Sequence, residues 1–174
     1  MNVMIDLETL GTRAGCVILS IGAAVFTEKE VTDSYHRIIS VRSCLDAGLT
    51  IDPDTVKWWS EQSEEAQETL RTARQTGTAP LGVALVEFRN WFHVDDNAWG
   101  NGADFDLPIL SAAYVAAGFE GPPWKPYNGR CYRTLKNLRP GIHSPVVRVA
   151  AHNALADAVF QAEHAIALLA ALKV

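Results

Sequence analysis

Near the start of the chain, residues 4–11 read MIDLETLG, and this segment determines the architecture that the rest of the sequence can adopt. Residues 3–8 are apolar except for two acids, which is typical of a buried central strand whose end reaches a polar site. Asp6 and Glu8 are separated by one residue, so the alternation of a strand places both carboxylates on one face of the sheet. The next residues, 9–12, predict a turn.

The segments that follow this turn extend the sheet and then cover it. Apolar, β-branched runs at residues 16–26 and 34–41 predict two more strands in an antiparallel meander with the first. An acid and a proline at residues 52–53 predict the start of a helix that runs through residues 55–73 and ends before Gly77. Further helices are predicted over residues 81–92, 106–117, 134–138 and 153–172, with a short strand at 98–100. This order indicates an α/β fold in which helices flank a mixed sheet.

Composition limits the class of protein. With 174 residues, of which 48% are hydrophobic, the chain has the size of one compact domain, residues 1–174. Its longest apolar run, residues 165–172, is too short for a membrane span and the N-terminus lacks a secretion signal, so we expect a cytoplasmic protein with no membrane partner. The net charge of -5 argues against a protein that coats nucleic acid by charge alone. Bound metal ions would still let an acidic protein bind nucleic acid locally.

The acids at the end of the first strand indicate a metal site. Two like charges on one face of a buried strand, Asp6 and Glu8, are costly without a cation. Such a pair favours a hard, oxygen-ligated ion such as Mg²⁺ or Mn²⁺. On its own the D-x-E pattern is common, and two solvated acids at a strand end are the simpler interpretation.

Two later segments carry residues of the same kind. Residues 101–106 (NGADFD) lie between the short strand and a helix, so that Asp106 meets the helix start. In HNALAD, His152 precedes the last helix and Asp157 lies in its first turns, where the helix carries partial positive charge. Each segment alone has an ordinary interpretation, such as a capping acid at Asp104 or a structural histidine. Together the three segments supply the four acids and the histidine that two-metal hydrolysis of a phosphodiester needs.

The same three segments resemble the motifs of a known family. The first strand carries D-x-E at Asp6 and Glu8. A block of the form N…FD ends at Asp106, and H-x4-D joins His152 to Asp157. These patterns, in this order and over nearly the whole chain, resemble the DEDDh 3'-5' exonucleases. The longer strings MIDLETLG, ILSIGAAVF, TVKWW, GNGADFDLPIL and AHNALADA are most similar to the phage-type and mycobacterial exoribonuclease-like branch.

This resemblance implies a fold and an activity. The implied fold is ribonuclease H-like, and the implied activity is the stepwise removal of nucleoside 5'-monophosphates from a 3' end with two divalent ions, Mg²⁺ or Mn²⁺. His152 would be the general base that takes a proton from the attacking water. The implied metal ligands, which are also catalytic residues, are Asp6, Glu8, Asp106 and Asp157.

Contacts with the terminal nucleotide are also implied by the resemblance. The implied substrate-binding residues are Leu7, Thr9, Leu10, Asn101 and Phe105. Leu10 would wedge against a base and Phe105 would stack on one, whereas the alternatives are a turn residue and a core residue. In several family members the asparagine of the second motif lies one residue closer to the aspartate than Asn101 lies to Asp106. Asp104 is therefore a second candidate for this acid.

Three questions about partners stay open at the level of sequence. The expected substrate is a single-stranded RNA or DNA 3' end, or the 3' overhang of a duplex, and only the resembled branch favours RNA over DNA. A nucleic-acid-binding module that keeps the fold without catalysis is the alternative to an enzyme. The apolar C-terminal helix and the pair Trp58 and Trp59 are consistent with a homodimer contact or with a completed core.

Overall fold

The computed structural model describes residues 1–75, 78–148 and 152–172, and these contain a five-stranded sheet. The strands are β1 (Asn2–Thr9), β2 (Ile18–Phe26), β3 (Val31–Ile38), β4 (Asn97–Gly100) and β5 (Gly129–Cys131). They lie in the order β3-β2-β1-β4-β5, with β1 in the centre. The pairs β1–β2 and β2–β3 are antiparallel, and the pairs β1–β4 and β4–β5 are parallel. The predicted meander and mixed sheet are confirmed.

Helices cover both faces of this sheet. Within the described residues they are α1 (Val41–Asp46), α2 (Pro53–Ser60), α3 (Glu64–Ala73), α4 (Leu81–Trp91), α5 (Asp106–Ala116), α6 (Tyr132–Leu138) and α7 (Ala154–Ala171). The last four match the helices predicted after residue 80. The side chain of Asn153 caps α7 by accepting a hydrogen bond from the backbone N–H of Ala156 at 3.0 Å.

One prediction about the helices is wrong. Residues 55–73 do not form a single helix, because the helical conformation is interrupted between the end of α2 at Ser60 and the start of α3 at Glu64. The backbone N–H of Glu61 donates to the carbonyl groups of Trp58 and Trp59, and α2 ends there. The side chain of Ser63 then accepts a hydrogen bond from a backbone N–H in the first turn of α3, which begins the next one. Gly77, predicted to end this segment, lies outside the described residues.

The alternation of β1 assigns its side chains to two hydrophobic clusters, one on each face of the sheet. Ile5 and Leu7 belong to the cluster that includes buried residues of α1 to α5. Met4 belongs to the other cluster, with residues of α6 and α7. Asp6 and Glu8 alternate in step with Met4, so they lie on the face covered by α7. The sheet therefore presents its acids to the last helix of the chain.

α7 is a core helix, although its length and composition would also suit a membrane span. It has 18 residues and a mean hydropathy of 1.3. Ala158, Ala162 and Ala165 pack into the cluster on this face of the sheet. Asp157 and Gln161 are buried as well. A helix that buries polar side chains in this way supports the interpretation in which α7 completes the core.

The start of α7 lies very close to β2. A Cβ atom added at Gly22 would be 2.1 Å from the carbonyl carbon of Ala154 and 2.3 Å from the backbone nitrogen of Leu155. A strand glycine is what permits so close an approach of two backbones. Because Gly22 pairs with Asp6 across β1 and β2, this contact brings the beginning of α7 beside the acids.

Candidate active site

The acids of the first and third motifs meet at one point. One carboxylate oxygen each from Asp6, Glu8 and Asp157 lie within 4.8 Å of one another. Glu8 and Asp157 are only 7% and 4% exposed, and Asp6 is half-buried. β1 supplies the first two side chains and the first turn of α7 supplies the third. The predicted convergence of these residues is present in the structure.

Asp106 borders this group from the start of α5. Its side chain is 2% exposed. One carboxylate oxygen accepts a hydrogen bond from the backbone N–H of Leu7 at 3.2 Å, and the other accepts from the backbone N–H of Asn101 at 2.9 Å. Asp104 is exposed. The geometry thus favours Asp106, rather than Asp104, as the acid of the second motif.

Burial makes the carboxylates of Asp6, Glu8 and Asp106 hard to ionise, and repulsion from neighbouring acids adds to this at Asp6 and Glu8. Burial, followed by the charges of Asp106, Glu8 and Asp157, raises the pKa of Asp6 well above its ordinary value. Burial and the charge of Asp157 raise the pKa of Glu8 to about 8, although Arg148 opposes the shift. Burial raises the pKa of Asp106 to about 6, against the two backbone N–H groups that it accepts from.

The repulsion between these carboxylates and the type of their donor atoms indicate which metal ions the site could hold. Several carboxylates confined within a few ångströms repel one another, and a divalent cation between them would relieve the repulsion. Their donors are all oxygens, the ligands that Mg²⁺, Mn²⁺ and Ca²⁺ prefer. The residues present therefore fit a hard divalent ion.

His152 lies at the rim of this group in an unusual backbone conformation. Its φ is 62°, in the left-handed region that few residues other than glycine adopt. Its backbone N–H donates to Asp157 at 3.2 Å. Its ring centroid lies 4.8 Å from that of Trp58, with the planes perpendicular, and 6.2 Å from that of Trp59. The imidazole is thus held beside the acids by a turn and by two aromatic rings.

A cavity of about 490 Å³ opens over the acids. Its polar lining consists of acids, hydroxyl groups, Arg148 and His152, and three aromatic residues, Trp58, Trp59 and Phe105, contribute apolar walls. Trp58 is 40% exposed, whereas Trp59 is buried and its indole N–H donates to the carbonyl of Thr9 at 2.8 Å. The volume lies within the range of small-molecule sites, about 300–1,000 Å³.

The residues predicted to bind substrate separate into two groups. Leu7, Thr9 and Phe105 line the cavity. Leu10 is fully buried in the core, and this position favours the alternative in which it binds no base. Asn101 acts through its backbone, which donates to Asp106 and accepts from Arg133 at 2.8 Å.

Arg148 and Gln161 contact the acids from outside the motifs. Arg148 makes a two-pronged ion pair with Asp157, at 2.5 and 2.6 Å. Gln161 donates its side-chain N–H to Asp6 at 2.7 Å. The position of Gln161, one helical turn after Asp157, is a signal that sequence reasoning missed. No sequence signal identifies Arg148, because its contact depends on how the loop before α7 folds.

Comparison with solved structures identifies the fold. The nuclease domain of 3'hExo, a DEDDh family member bound to rAMP, superposes with a TM-score of 0.63 at 11% identity, covering 97% of this chain and 91% of that one. Cell-death related nuclease 4 gives a TM-score of 0.64 at 12% identity, covering 97% and 63%. Exonuclease X in complex with 5' overhanging duplex DNA gives 0.62 at 16%, covering 100% and 94%. The chain therefore has the ribonuclease H-like fold of DEDDh nuclease domains.

Comparison with curated and family sequences goes further. The exodeoxyribonuclease of Enterobacteria phage T4 is 24% identical over 119 residues, which are 62% of this chain and 52% of that protein. The matched region thus spans about half the length of this relative. The profile of the 3'-5' exoribonuclease Rv2179c-like domain matches residues 1–169, and the chain therefore belongs to that family.

Proposed function

We propose that this protein is a metal-dependent 3'-5' exoribonuclease that releases nucleoside 5'-monophosphates from single-stranded 3' ends or 3' overhangs. The observation that carries this proposal is the meeting of Asp6, Glu8 and Asp157 within 4.8 Å, beneath a cavity that His152 also lines. Family membership supports the dependence on divalent metal ions. The choice of Mg²⁺ or Mn²⁺ and the number of two ions are part of the proposal.

The proposed reaction divides between bound ions and the chain's own groups. Two ions held by Asp6, Glu8, Asp106 and Asp157 would activate a water and stabilise charge on the leaving oxygen. The imidazole of His152 accepts a proton as the water oxygen bonds to the phosphorus of the terminal nucleotide. The bond from that phosphorus to the 3' oxygen of the preceding nucleotide breaks, and this oxygen takes a proton from solvent. The products are a nucleoside 5'-monophosphate and a chain shorter by one nucleotide.

The aromatic walls of the cavity suit a terminal base. Trp58 and Phe105 both line it, and aromatic faces bind unpaired bases with little preference for sequence. The contact between Trp58 and the ring of His152 would also link the presence of substrate to the position of the His152 imidazole, the proposed general base. The buried ring of Trp59 contacts both rings, with centroids 5.2 Å from Trp58 and 6.2 Å from His152.

Two findings favour different nucleic acids, RNA and DNA, as the substrate. The family description, an exoribonuclease domain, supports RNA as the substrate. The similarity to the phage T4 exodeoxyribonuclease supports DNA as the second candidate. RNA is the first choice because the family profile covers residues 1–169, whereas the phage relative aligns with 62% of the chain.

The proposal is tested on 5'-labelled RNA and DNA of identical sequence, each as a single strand and as a duplex with a 3' overhang. Reactions contain Mg²⁺, Mn²⁺ or EDTA, and the Asp157→Asn protein runs beside the wild type. We expect a ladder that shortens from the 3' end of RNA, requires metal and is absent in the variant. Faster shortening of DNA would select the second candidate. Binding of the oligonucleotide without any shortening would contradict the proposal and support the alternative, a nucleic-acid-binding module without catalysis.

A further inference from the structure

The side chain of Gln161 contacts Asp6, one of the proposed metal ligands. Gln161 lies on α7 one turn after Asp157, and its side chain is 5% exposed. Its Nε2 donates a hydrogen bond of 2.7 Å to Oδ1 of Asp6. The helix that supplies one carboxylate to the group therefore also contacts another carboxylate, on the central strand. Gln161 itself lies outside the three motifs.

A carboxylate on a strand needs such a contact if it is to hold a fixed direction. The last torsion of an aspartate side chain has broad minima, so its two oxygens can rotate unless other groups hold them. In Asp106 two backbone N–H groups hold the oxygens. In Asp157 the backbone N–H of His152 and the guanidinium of Arg148 do so. For Asp6, the side-chain amide of Gln161 has this role.

The chemistry of an amide suits this position. An amide donates a hydrogen bond without adding charge, so it orients Asp6 while leaving the negative charge available to a cation. A lysine or arginine here would neutralise the carboxylate and compete with the ion. The opposite atom of the amide, Oε1 of Gln161, is buried and has no hydrogen-bond partner among residues 1–75, 78–148 and 152–172. Within those ranges, the amide therefore bonds to Asp6 through its nitrogen alone.

We propose that Gln161 is a positioning residue that fixes the Asp6 carboxylate in the orientation needed to bind metal. The inference rests on the proposed function, because it assigns to Asp6 the role of a ligand. It predicts that the amide sets metal affinity and the rate of the chemical step. A purely structural glutamine would instead affect only the stability of the packing between α7 and β1.

The test compares Gln161→Met with Gln67→Met. Methionine keeps the length of the side chain and favours a helix, but it cannot donate a hydrogen bond. Gln67 lies on α3 and also uses its amide, which donates to the backbone carbonyls of Ser60 and Gln62. The control therefore removes comparable hydrogen bonds away from the cavity.

The first readout is the dissociation constant for Mn²⁺, measured on the purified full chain by electron paramagnetic resonance of the free ion. Loss of a group that orients a metal ligand typically weakens metal binding about 10- to 100-fold. We expect a loss of at least about tenfold in Gln161→Met and none in Gln67→Met. In steady-state kinetics at Mn²⁺ concentrations that saturate both proteins, kcat should fall in Gln161→Met while the KM for the oligonucleotide stays the same.

A second variant, Gln161→Asn, covers the case in which the methionine protein does not fold. It keeps a buried amide but shortens the side chain by one methylene, so it no longer reaches Asp6. It should weaken Mn²⁺ binding as well. Wild-type Mn²⁺ affinity and kcat in a folded variant at this position would overturn the inference. If the wild-type protein bound no Mn²⁺ at all, the proposed function itself would fail, so the two failures are distinguishable.

Discussion

Asp6, Glu8 and Asp106 are buried together in a way that destabilises a protein on its own. Burial is the largest cause of the raised pKa of each side chain, and for Asp6 and Glu8 neighbouring carboxylates add to it. A buried acid whose pKa is raised resists ionisation, and the folded state loses stability when the acid must ionise. At the scale of single residues, the proposed metal site therefore lowers the stability of the metal-free protein.

The pH dependence of Glu8 gives the first prediction. Its pKa rises from an ordinary value of 4.5 to about 8 in the folded protein, so the folded state holds this proton more tightly than the unfolded chain. The contribution of this group to stability is greatest below pH 4.5 and is lost as the pH rises towards 8. In EDTA, Glu8→Gln should therefore melt at a higher temperature than the wild type at pH 8, by roughly 5 °C or more.

The same comparison contains its own controls. The difference in melting temperature should shrink at pH 5, where the carboxyl of the wild type keeps its proton. Added Mg²⁺ should stabilise the wild type at pH 8 and should have little effect on Glu8→Gln. Melting temperatures are measured by differential scanning calorimetry. If Glu8→Gln and the wild type melted at the same temperature at both pH values, ionisation of Glu8 would not destabilise the metal-free protein, and the prediction would be wrong.

His152 gives the second prediction. Asparagine tolerates the left-handed backbone found at this position, where φ is 62°, so His152→Asn should keep the fold. Loss of a general base typically lowers the rate about 10²- to 10⁴-fold. We expect kcat to fall by that factor while the dissociation constant for Mn²⁺ stays near the wild-type value. A variant that retains full kcat would exclude His152 as the base.

The motifs predicted which acids lie together, but not the side chains that contact them. Asp106 and His152 were proposed as site residues because phosphodiester chemistry restricts which residue types can serve and the motifs restrict their order, and the structure places both beside the other acids. Leu10 was placed against substrate because it adjoins the first motif, but the turn directs it into the core. Arg148 and Gln161 touch the acids only through the folded positions of a loop and a helix. The spacing of Gln161 from Asp157 places both on one face of α7, but only the folded chain shows which acid the amide reaches, and no spacing reveals the contact of Arg148.

At the scale of elements, the site depends on the approach of α7 to β2. Gly22 is the position where the two backbones come closest, since a Cβ atom added there would lie 2.1 Å from the carbonyl carbon of Ala154. Whatever displaces the start of α7 also displaces His152 and Asp157. The third prediction concerns this contact.

Gly22→Ala should weaken both the fold and the activity. A methyl group here must push α7 away from the sheet, and overpacking of this kind typically costs about 1–3 kcal/mol. Because Asp157 moves with the helix, Mn²⁺ binding should weaken too. The matched control is Gly82→Ala on α4, where an added Cβ meets no atom within 4 Å. Alanine favours a helix, so this control should gain up to about 1 kcal/mol in urea unfolding.

A Gly22→Ala protein with wild-type stability and Mn²⁺ affinity would contradict the proposed role of this contact. A loss of stability alone, with normal metal binding, would mean that the helix shifts without moving its first turn. The two measurements together thus separate packing from the geometry of the site.

Predictions of elements succeeded where one signal dominated and failed where local contacts decided. α7 was predicted within a residue at each end because Asn153 caps it and few residues interrupt its apolar pattern. The break between α2 and α3 depends on the cap at Ser63, within a sequence whose composition favours helix throughout. β5 has only three residues and forms through its pairing with β4, so its own sequence carries little strand signal.

At the scale of the whole molecule, the proposed function and the acidic charge together predict that nucleic-acid binding depends on metal. The net charge is -5, and the cavity contains several carboxylates that repel phosphates. Proteins that bind nucleic acid by charge use many basic residues, and their affinity falls steeply with salt. Under the proposed function, the attraction would come from ions within the site and from stacking on Trp58 and Phe105, which both line the cavity.

The fourth prediction follows from this charge. The His152→Asn protein, which keeps the metal ligands, should bind a fluorescent single-stranded oligonucleotide at least about tenfold more tightly in Mn²⁺ than in EDTA, as measured by anisotropy. In EDTA the weak residual binding should depend little on salt. Tight, strongly salt-sensitive binding in EDTA would indicate a basic surface as the main contact instead.

The class of the whole fold was accessible from the sequence, whereas its strand order was not. The run of three strands followed by helices indicated a mixed sheet, since adjacent strands with short connections pair antiparallel. The position of β4 beside β1 comes from a parallel pairing between residues almost a hundred positions apart. Pairings of this kind are fixed by how the helices pack, and they become visible only in the folded chain.

Digestion in water enriched in ¹⁸O tests whether water hydrolyses the terminal phosphodiester. An RNA oligonucleotide is digested with Mn²⁺ by the wild type and by Asp6→Asn, and the products are analysed by mass spectrometry. We predict nucleoside 5'-monophosphates that carry one ¹⁸O atom on the phosphate, from the wild type alone. Label on a 3'-phosphate, unlabelled products or equal release by Asp6→Asn would contradict this claim.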